Sequence, residues 1–325
     1  MNMILKRKLN REEEAPREDL NTLAWITRAR PYLIMLPSLL ITTGILIPFA
    51  MAVYYSLTNY SFRLPQNSFV WFRNWINMFT DPAFWHAVWV TLRYAFFATG
   101  VEMLLGLGIA MLLGNTDNRF TKILKVVLTF PLMVAPVIGT IIWQLMTNNA
   151  VGILEKFLNL FGIYNFSWAA AHETAMFTAV MIDVWVYCPF VIILILSGIQ
   201  SLPKSPFESA KIDGGSAWFN FRNLTLPMLK PCIYIALLFR LMASLQEFSI
   251  IFALTKGGPG DTLMNLSVTA YNTGFAFQKF GASLPYILCL WVIINIVARQ
   301  IVNRWMLSQK QASGRNLIPE KGGKS

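Results

Sequence analysis

The feature that most constrains this chain is a series of long apolar stretches separated by short polar segments. Six stretches consist mostly of apolar residues, and they lie at 33–57, 87–113, 124–146, 175–199, 229–254 and 283–304. A helix of roughly 20 apolar residues crosses the hydrocarbon core of a bilayer, and it satisfies its own backbone groups there. The sequence therefore predicts an all-α polytopic membrane protein with six transmembrane helices.

The composition supports a membrane location. Hydrophobic residues make up 55% of the chain and charged residues only 13%, which is too few charges for a soluble protein of this length. A polar arm at 1–30 precedes the first stretch, so we interpret that stretch as a membrane span rather than a cleaved signal peptide. We expect a cytoplasmic N-terminal arm at 1–30, a membrane domain at 31–306 and a cytoplasmic tail at 307–325, with the arm and tail mostly disordered.

Lysine and arginine residues predict the orientation of the spans. With the N-terminus inside, the cytoplasmic segments hold 19 Lys and Arg residues and the opposite loops hold five, and such an excess marks the cytoplasmic side. We therefore expect both termini and the loop at 200–230 in the cytoplasm. The net charge of +11 reflects this topology, because no basic and aromatic module indicates nucleic-acid binding.

The loop between the fourth and fifth stretches carries a pattern that predicts two short helices joined by a glycine turn. The first helix is expected to start at Ser205–Pro206, with the acid Glu208 in its first turn, and to end at Gly214–Gly215. A second helix at about Ala217–Asn223 is expected to stop before Pro227. The two helices predict an exposed helix-glycine-helix projection that fits a socket on a partner.

The same loop resembles the cytoplasmic signature of ABC importer permeases. That signature is Glu-Ala-Ala, three residues, Gly, nine residues and then Ile-x-Leu-Pro, and every spacing is present here. The departures are Ser209 in place of Ala and Leu224 in place of Ile. The resemblance implies that this loop couples the permease to an ATPase through Glu208, Ser209, Ala210, Gly214, Leu226 and Pro227.

Flanking motifs resemble the carbohydrate-type, maltose-permease-like subfamily of these permeases. They lie, in the order found in that subfamily, at 129–143, 152–154, 185–190, 198–203 and 254–259. The Gly-Gly-Pro loop at 257–259, the region of Gly152 and the long N-terminal arm resemble the first of two unlike permease subunits.

The resemblance implies a type I importer subunit that forms half of a translocation path in a bacterial-type plasma (inner) membrane. The implied substrate is a sugar, an oligosaccharide or a related polyol or glycerol phosphate. The implied partners are a second unlike permease subunit, two cytoplasmic ATPase subunits and an extracytoplasmic solute-binding protein. The sequence contains no G-x-x-x-x-G-K-[ST] phosphate loop, so we expect no enzymatic activity and no bound cofactor, with ATP hydrolysed by the partner subunits.

Polar residues inside the apolar stretches are candidates for the substrate path, because leaving them in lipid is costly. In the fifth stretch Arg240, Ser244 and Glu247 lie at i, i+4 and i+7, which puts them on one helix face. Gln246 lies beside that face. The axial gap between Arg240 and Glu247 is about 10.5 Å at 1.5 Å per residue, so we expect them to meet only by stretching or through a substrate or water.

A similar row in the fourth stretch contains Asp183, Tyr187 and Phe190. An acid and aromatic faces suit the hydroxyls and apolar ring faces of sugars. The alternative for each polar residue is that it packs one helix against another. In the second stretch Arg93 and Glu102 are nine residues apart and point to opposite faces, so we expect no direct pairing between them.

Two other classes of membrane protein remain alternatives. A secondary transporter commonly shows paired broken helices or a coupling-ion site, and a channel needs a filter built from repeated subunits; neither pattern is evident. The three cysteines and two histidines show no metal-ligand spacing, so we expect no metal site.

Overall fold

The computed structural model of the chain describes residues 17–63, 67–114 and 118–312. The predicted disorder at 1–16 and 313–325 lies outside the described residues. The described residues are helical and form no sheet, with one isolated bridge between Thr58 and Phe69. The chain divides into two compact units, Met1–Tyr55 and Ser56–Ser325.

The first unit is built on one long helix, α1 (Arg17–Ser56). This helix contains the apolar segment Ile34–Ser56, which agrees with the first predicted span. The boundary expected at residue 30 lies inside the helix, so the described part of the arm is helical rather than disordered. The segment at 17–43 contains no glycine, and its many Leu, Ala and Arg residues favour a helix.

The second unit consists of helices joined by turns. In chain order they are α2 (Arg73–Thr80), α3 (Pro82–Gly114), α4 (Arg119–Thr129), α5 (Pro136–Met146), α6 (Ile153–Asn159), α7 (His172–Gln200), α8 (Ser205–Ile212), α9 (Ala217–Asn220), α10 (Leu226–Leu245), α11 (Ser249–Thr255), α12 (Leu266–Tyr271) and α13 (Phe280–Ala312). A 3-10 turn follows α4 at Phe130–Met133, and π-helical turns follow α9 at Phe221–Thr225 and α12 at Asn272–Ala276.

Five helices among the described residues are long and apolar enough to cross a membrane, and a bent pair of helices brings the number to six. The bent pair is the third predicted stretch, in which Arg119–Met133 and Pro136–Met146 meet at 101°. Pro136 accounts for the break, because proline disfavours helical backbone in the residue before it; Ala135 is extended, with a ψ of 133°. The predicted number of spans agrees with the structure when this pair counts as one span.

The fifth predicted stretch is also interrupted. Helix α10 ends at Leu245, and α11 begins at Ser249. The Glu247 carboxylate accepts the Ile250 backbone N–H at 2.8 Å, which satisfies a donor in the first turn of α11. The two breaks, at 134–135 and 246–248, were not predicted from apolar content because that content continues through both.

The core of the second unit includes a close contact between α3 and α7. Gly106 of α3 lies so near Val191 of α7 that a β-carbon at position 106 would stand 2.5 Å from the Val191 Cγ1 atom. Ala98 and Ala110, also on α3, are fully buried. Small residues let membrane helices approach closely, and this approach brings polar groups from α3 and α7 within reach of α10.

Candidate functional site

The predicted coupling loop forms a helix that ends at a glycine turn. Helix α8 begins at Ser205, as predicted, and has Glu208 in its first turn. Gly214 follows with a φ of +75°, a left-handed conformation that glycine adopts without a steric penalty. The Gly215 N–H donates to the Ala210 carbonyl at 2.7 Å, which gives the bond pattern of a Schellman helix end.

The second helix of the loop continues further than predicted. Helix α9 (Ala217–Asn220) starts with the Ser216 side chain as its cap and continues through the π-helical turn into α10. Leu226 and Pro227 are half-buried at the start of α10. They directly follow the π-helical turn, in which the Leu226 N–H donates to the Phe221 carbonyl, and this wider turn lets the helical run continue past the proline. The expectation that Pro227 stops the second helix is therefore wrong, and one helical run extends over Ala217–Leu245.

The predicted coupling residues of α8 lie on different sides of the knob, which we define as residues 205–220. Glu208 and Ser209 are exposed, whereas Ala210 is buried. Gly214 is exposed, and no atom lies within 4 Å of the point where its β-carbon would stand. The surface of the knob around Glu208, Ser209 and Gly214 is thus available for contact, whereas Ala210 is covered and lines a cavity with Phe219 and Leu224.

Large apolar side chains are also exposed on the knob. Ile212, Trp218 and Phe219 are 86%, 67% and 49% exposed. Glu208 lines a cavity beside the knob together with Lys204. Exposed apolar side chains that cluster within a polar loop indicate a protein-contact surface.

A second site lies in the interior, where α3, α7 and α10 contribute the residues that we call the polar cluster: Glu102, Asp183, Tyr187, Arg240 and Ser244. Arg240 forms a bidentate pair with Glu102, in which Nε donates to Oε2 at 2.6 Å and Nη2 donates to Oε1 at 2.7 Å. Their side chains are only 3% and 0% exposed. Such a two-pronged, charge-assisted pair is among the strongest polar contacts available to a protein.

The remaining members of the polar cluster surround the same guanidinium group. Arg240 Nη2 also donates to Asp183 Oδ2 at 3.3 Å and to Ser244 Oγ at 3.1 Å. The Tyr187 ring lies over the group, with its centroid 4.2 Å from Arg240 Cζ, a cation–π contact. The Thr99 hydroxyl donates to Ser244 Oγ at 3.2 Å. These contacts connect α3, α7 and α10.

The substrate-path candidates on α7 and α10 divide into buried and accessible residues. Asp183, Ser244 and Arg240 are 0%, 1% and 3% exposed, whereas Tyr187 and Phe190 are half-exposed. The rows predicted separately on the fourth and fifth stretches therefore meet in one site. The burial of the charged members favours the alternative in which they pack one helix against another.

The other two candidates lie in the break after α10. The helix ends at Leu245, so the expectation that Glu247 shares a helix face with Arg240 is wrong. Glu247 is 8% exposed and bonds to the first turn of α11 instead. Gln246 is exposed, which makes it the more accessible of the two.

Glu102 belongs to the polar cluster, and sequence reasoning missed its role. The sequence predicts that Glu102 and Arg93 lie on opposite faces of α3. The structure agrees, because Arg93 is exposed and Glu102 is fully buried. A carboxylate in an apolar span needs a cation or a hydrogen-bond partner. Since Arg93 faces away, the central arginine of another span, Arg240, is the partner that the sequence already offered.

The short helices beyond the two breaks pack against each other. The Nε2 group of Gln144, on α5, donates to the Ala253 carbonyl at 3.0 Å and to the Leu254 carbonyl at 2.8 Å. Both carbonyls belong to α11. Irregular backbone at membrane depth is tolerated where it is buried in protein or lines a water-filled cavity. The breaks thus indicate where a path through the membrane could lie.

Comparison with known proteins gives relatives for most of the chain. The trehalose/maltose transport system permease protein MalF of Thermococcus litoralis is 33% identical over 242 residues, which cover 74% of this chain and 82% of that protein. The sn-glycerol-3-phosphate transport system permease protein UgpA of Pectobacterium atrosepticum is 31% identical over 266 residues, 81% of this chain and 90% of that protein.

A solved structure and a family model agree with this result. The crystal structure of a bacterial ABC transporter involved in the import of the acidic polysaccharide alginate contains a chain with the same fold, with a TM-score of 0.75 and 18% identity over 88% of this chain and 98% of that chain. The model of the family described as "Binding-protein-dependent transport system inner membrane component" matches residues 103–304, which include the knob and all of the polar cluster except Glu102. The predicted resemblance is confirmed: this chain belongs to the family of binding-protein-dependent transport system inner membrane components, the permease subunits of ABC importers.

Proposed function

We propose that this chain is the first of two unlike permease subunits in an importer of a sugar, an oligosaccharide or a related polyol or glycerol phosphate. It forms half of the translocation path, and no covalent bond is made or broken on it. Relatives named for trehalose and maltose and for sn-glycerol 3-phosphate support this substrate range. The observation that carries the proposal is the knob, an exposed apolar surface joined directly to a membrane-spanning helix.

The knob can pass movement from a cytoplasmic ATPase to the membrane interior. Ile212 and Trp218 offer apolar contact area, and Glu208 offers a charge at its edge. Residues 217–245 form one helical run of 29 residues, about 44 Å long at 1.5 Å per residue. Displacement of the knob therefore also displaces the end of α10 next to Gln246.

The polar cluster makes α3, α7 and α10 respond to this displacement as a group. Arg240 on α10 is bonded to Glu102 on α3 and to Asp183 on α7. Separating a buried pair leaves an uncompensated charge, at a cost of about 3–5 kcal/mol. Movement of the three helices together is thus favoured over movement of α10 alone, and rocking of such rigid groups exposes a central site to one side of the membrane at a time.

The path in this proposal passes beside the polar cluster rather than through it. Gln246, Tyr187 and Phe190 have accessible surface, and their amide and aromatic groups suit the hydroxyls and apolar ring faces of sugars. Arg240 and its buried partners hold the helices that carry these residues. The packed pair α5 and α11 forms part of the wall on the outer side of the breaks.

The proposed assembly contains this chain, a second permease, two ATPase subunits and an extracytoplasmic solute-binding protein. Both termini and the knob face the cytoplasm, in accord with the distribution of lysine and arginine. The chain itself binds no cofactor, and ATP is hydrolysed by the partner subunits. Most of the exposed apolar surface of the membrane helices then faces lipid or the second permease.

Site-directed cross-linking tests the proposed contact between the knob and the ATPase. Ile212→Cys, in a variant whose three native cysteines are replaced, should form a cross-link to an ATPase subunit when the importer is treated with a maleimide-benzophenone reagent and illuminated. The maleimide adds the introduced thiol, and the photoexcited ketone inserts into a C–H bond of the partner. Mass spectrometry should identify the partner peptide in a protein that contains a phosphate loop. Leu160→Cys is the matched control, since Leu160 is 82% exposed but lies in a predicted outer loop. An ATPase adduct at Leu160 and none at Ile212 would contradict the proposal.

A further inference from the structure

The polar cluster and the neighbouring Glu247 combine three carboxylates with a single cation. Glu102, Asp183 and Glu247 are 0%, 0% and 8% exposed, and Arg240 is 3% exposed. The two short bonds from Arg240 to Glu102 are those of a guanidinium group with an ionised carboxylate. One carboxylate therefore neutralises the only cation of the group, and two carboxylates remain.

The net charge of this group is zero when both remaining carboxylates are protonated, and it is negative when either is ionised. As long as the pair between Arg240 and Glu102 is intact, no protonation state gives a positive charge. The surrounding contacts, from Ser244, Thr99 and the Tyr187 ring, add no further cation.

Apart from Arg304, the last residue of the sixth stretch, two other arginines lie within apolar spans, and neither bonds to the polar cluster in the described part of the chain. Arg93 is nine residues from Glu102 on α3, so at 100° per residue it points to the opposite face. It lines one cavity that also contains Glu173 and a second that contains Leu241 and Leu245 of α10, and neither cavity is lined by Gln246 or Tyr187. Arg299 is exposed on α13. Neither arginine therefore provides a cationic contact at the candidate path beside Gln246 and Tyr187.

We infer that the path selects neutral sugars and polyols against phosphorylated, sulfonated or uronic-acid substrates. This inference rests on the proposed function, because it takes Gln246 and Tyr187 to line the path. A neutral substrate replaces its water contacts with amide, hydroxyl and aromatic groups. An anion loses its water beside a group with more carboxylates than cations and gains no cationic contact of its own, a combination that is unfavourable in a low-dielectric interior.

This inference narrows the class of substrate, which the names of the relatives leave open. One relative is named for the neutral sugars trehalose and maltose, and another is named for an organic phosphate. Sequence identity to the two is similar, 33% and 31%, and so does not distinguish them. The charge balance around Arg240 favours the neutral class.

The electrostatic field in the path can be measured with charged thiol reagents. This measurement does not require the natural substrate to be known. The reporter is Gln246→Cys in the complete purified importer, with Cys188, Cys232 and Cys289 replaced. The probes are three methanethiosulfonates that carry a trimethylammonium group, a sulfonate group or only a methyl group. Each transfers its thioalkyl group to the introduced thiolate, forming a disulfide and releasing methanesulfinate. The rates are divided by those for a free thiol in solution.

The expected result is a corrected ratio of cationic to anionic rates of roughly tenfold or more, which corresponds to one ionised carboxylate about 6 Å from the charge of the reagent in water, with a dielectric constant near 80. Asp183→Asn and, separately, Glu247→Gln should lower the ratio at least severalfold, and either variant suffices if the other fails to fold. Glu173→Gln is the control, because it removes an exposed carboxylate outside the polar cluster and should leave the ratio unchanged.

Two results would overturn the inference in distinguishable ways. A ratio at or below one, with the neutral reagent reacting readily, means that the path is accessible but does not disfavour anions, so the inference fails while the proposed function stands. Failure of all three reagents to react, with and without ATP, means that Gln246 does not line a path. In that case this part of the proposed function fails, and the inference fails with it.

Discussion

Arg240 has a demanding environment, because its charge lies in an apolar span and its side chain is 3% exposed. Glu102 compensates this charge, because its carboxylate accepts two short hydrogen bonds from the guanidinium group. The pair could have been predicted from the need of each charge for a partner, but its distances could not. They depend on how α10 packs against α3 in the folded chain, which no local pattern around Arg240 encodes.

Removing the carboxylate of Glu102 should destabilise the protein. In Glu102→Ala, the buried guanidinium loses its bidentate partner, and we expect a loss of about 3–5 kcal/mol, seen as a lower thermal midpoint of the purified protein. Replacing both partners, Glu102→Met with Arg240→Met, in an Asp183→Asn background should restore much of the stability, because neither the pair nor the other carboxylate bonded to Arg240 then leaves an unpaired buried charge.

The control for this experiment is Glu173→Ala, which removes an exposed carboxylate and should leave the midpoint unchanged. If Glu102→Ala is as stable as the wild-type protein, or if the double replacement is less stable than both single replacements, the assignment of the pair as a helix-packing contact is wrong.

At the scale of elements, apolar content predicted where helices cross the membrane but not where two of them break. The break before Pro136 follows from a local rule and was within reach of the sequence. The break at 246–248 depends on contacts made after the chain has folded, such as the bond from Asn265 Nδ2 to the Glu247 carbonyl. Pro227 predicts the end of a helix, whereas the π-helical turn just before it carries the helical run from the loop into α10.

The glycine turn of the knob gives a prediction about coupling. Gly214 has a φ of +75° with open space around it, so backbone conformation rather than crowding restricts the side chain there. Asparagine tolerates this conformation, and a β-branched residue does not. We expect Gly214→Asn to retain most transport and Gly214→Val to lose it, with both proteins present in the membrane.

Uptake and membrane content should be measured together for these two variants. Equal transport by Gly214→Asn and Gly214→Val, at equal membrane content, would show that the shape of the knob is not needed for coupling. A complementary check is Gly215→Ala, whose β-carbon would stand 2.8 Å from the Ala210 carbonyl oxygen and should disturb the same turn by crowding.

At the scale of the whole molecule, the excess of lysine and arginine on one side predicts the orientation. The matched reporters are Ile212→Cys on the knob and Leu160→Cys in the loop before α7, at positions whose native side chains are 86% and 82% exposed. In intact cells an impermeant maleimide should label Leu160→Cys and not Ile212→Cys, and permeabilised cells should label both. The reverse pattern in intact cells would invert the topology.

The central claim is that the chain is an ATP-driven permease rather than a secondary transporter. The most direct test is uptake by liposomes that contain the complete importer, with ATP inside and solute-binding protein outside, using radiolabelled maltose, trehalose and glycerol as probes. We predict uptake of at least one probe that requires ATP, raises ATP hydrolysis by the partner subunits and is lost in Gly214→Val. Uptake that proceeds without nucleotide and follows an imposed ion gradient would contradict this claim.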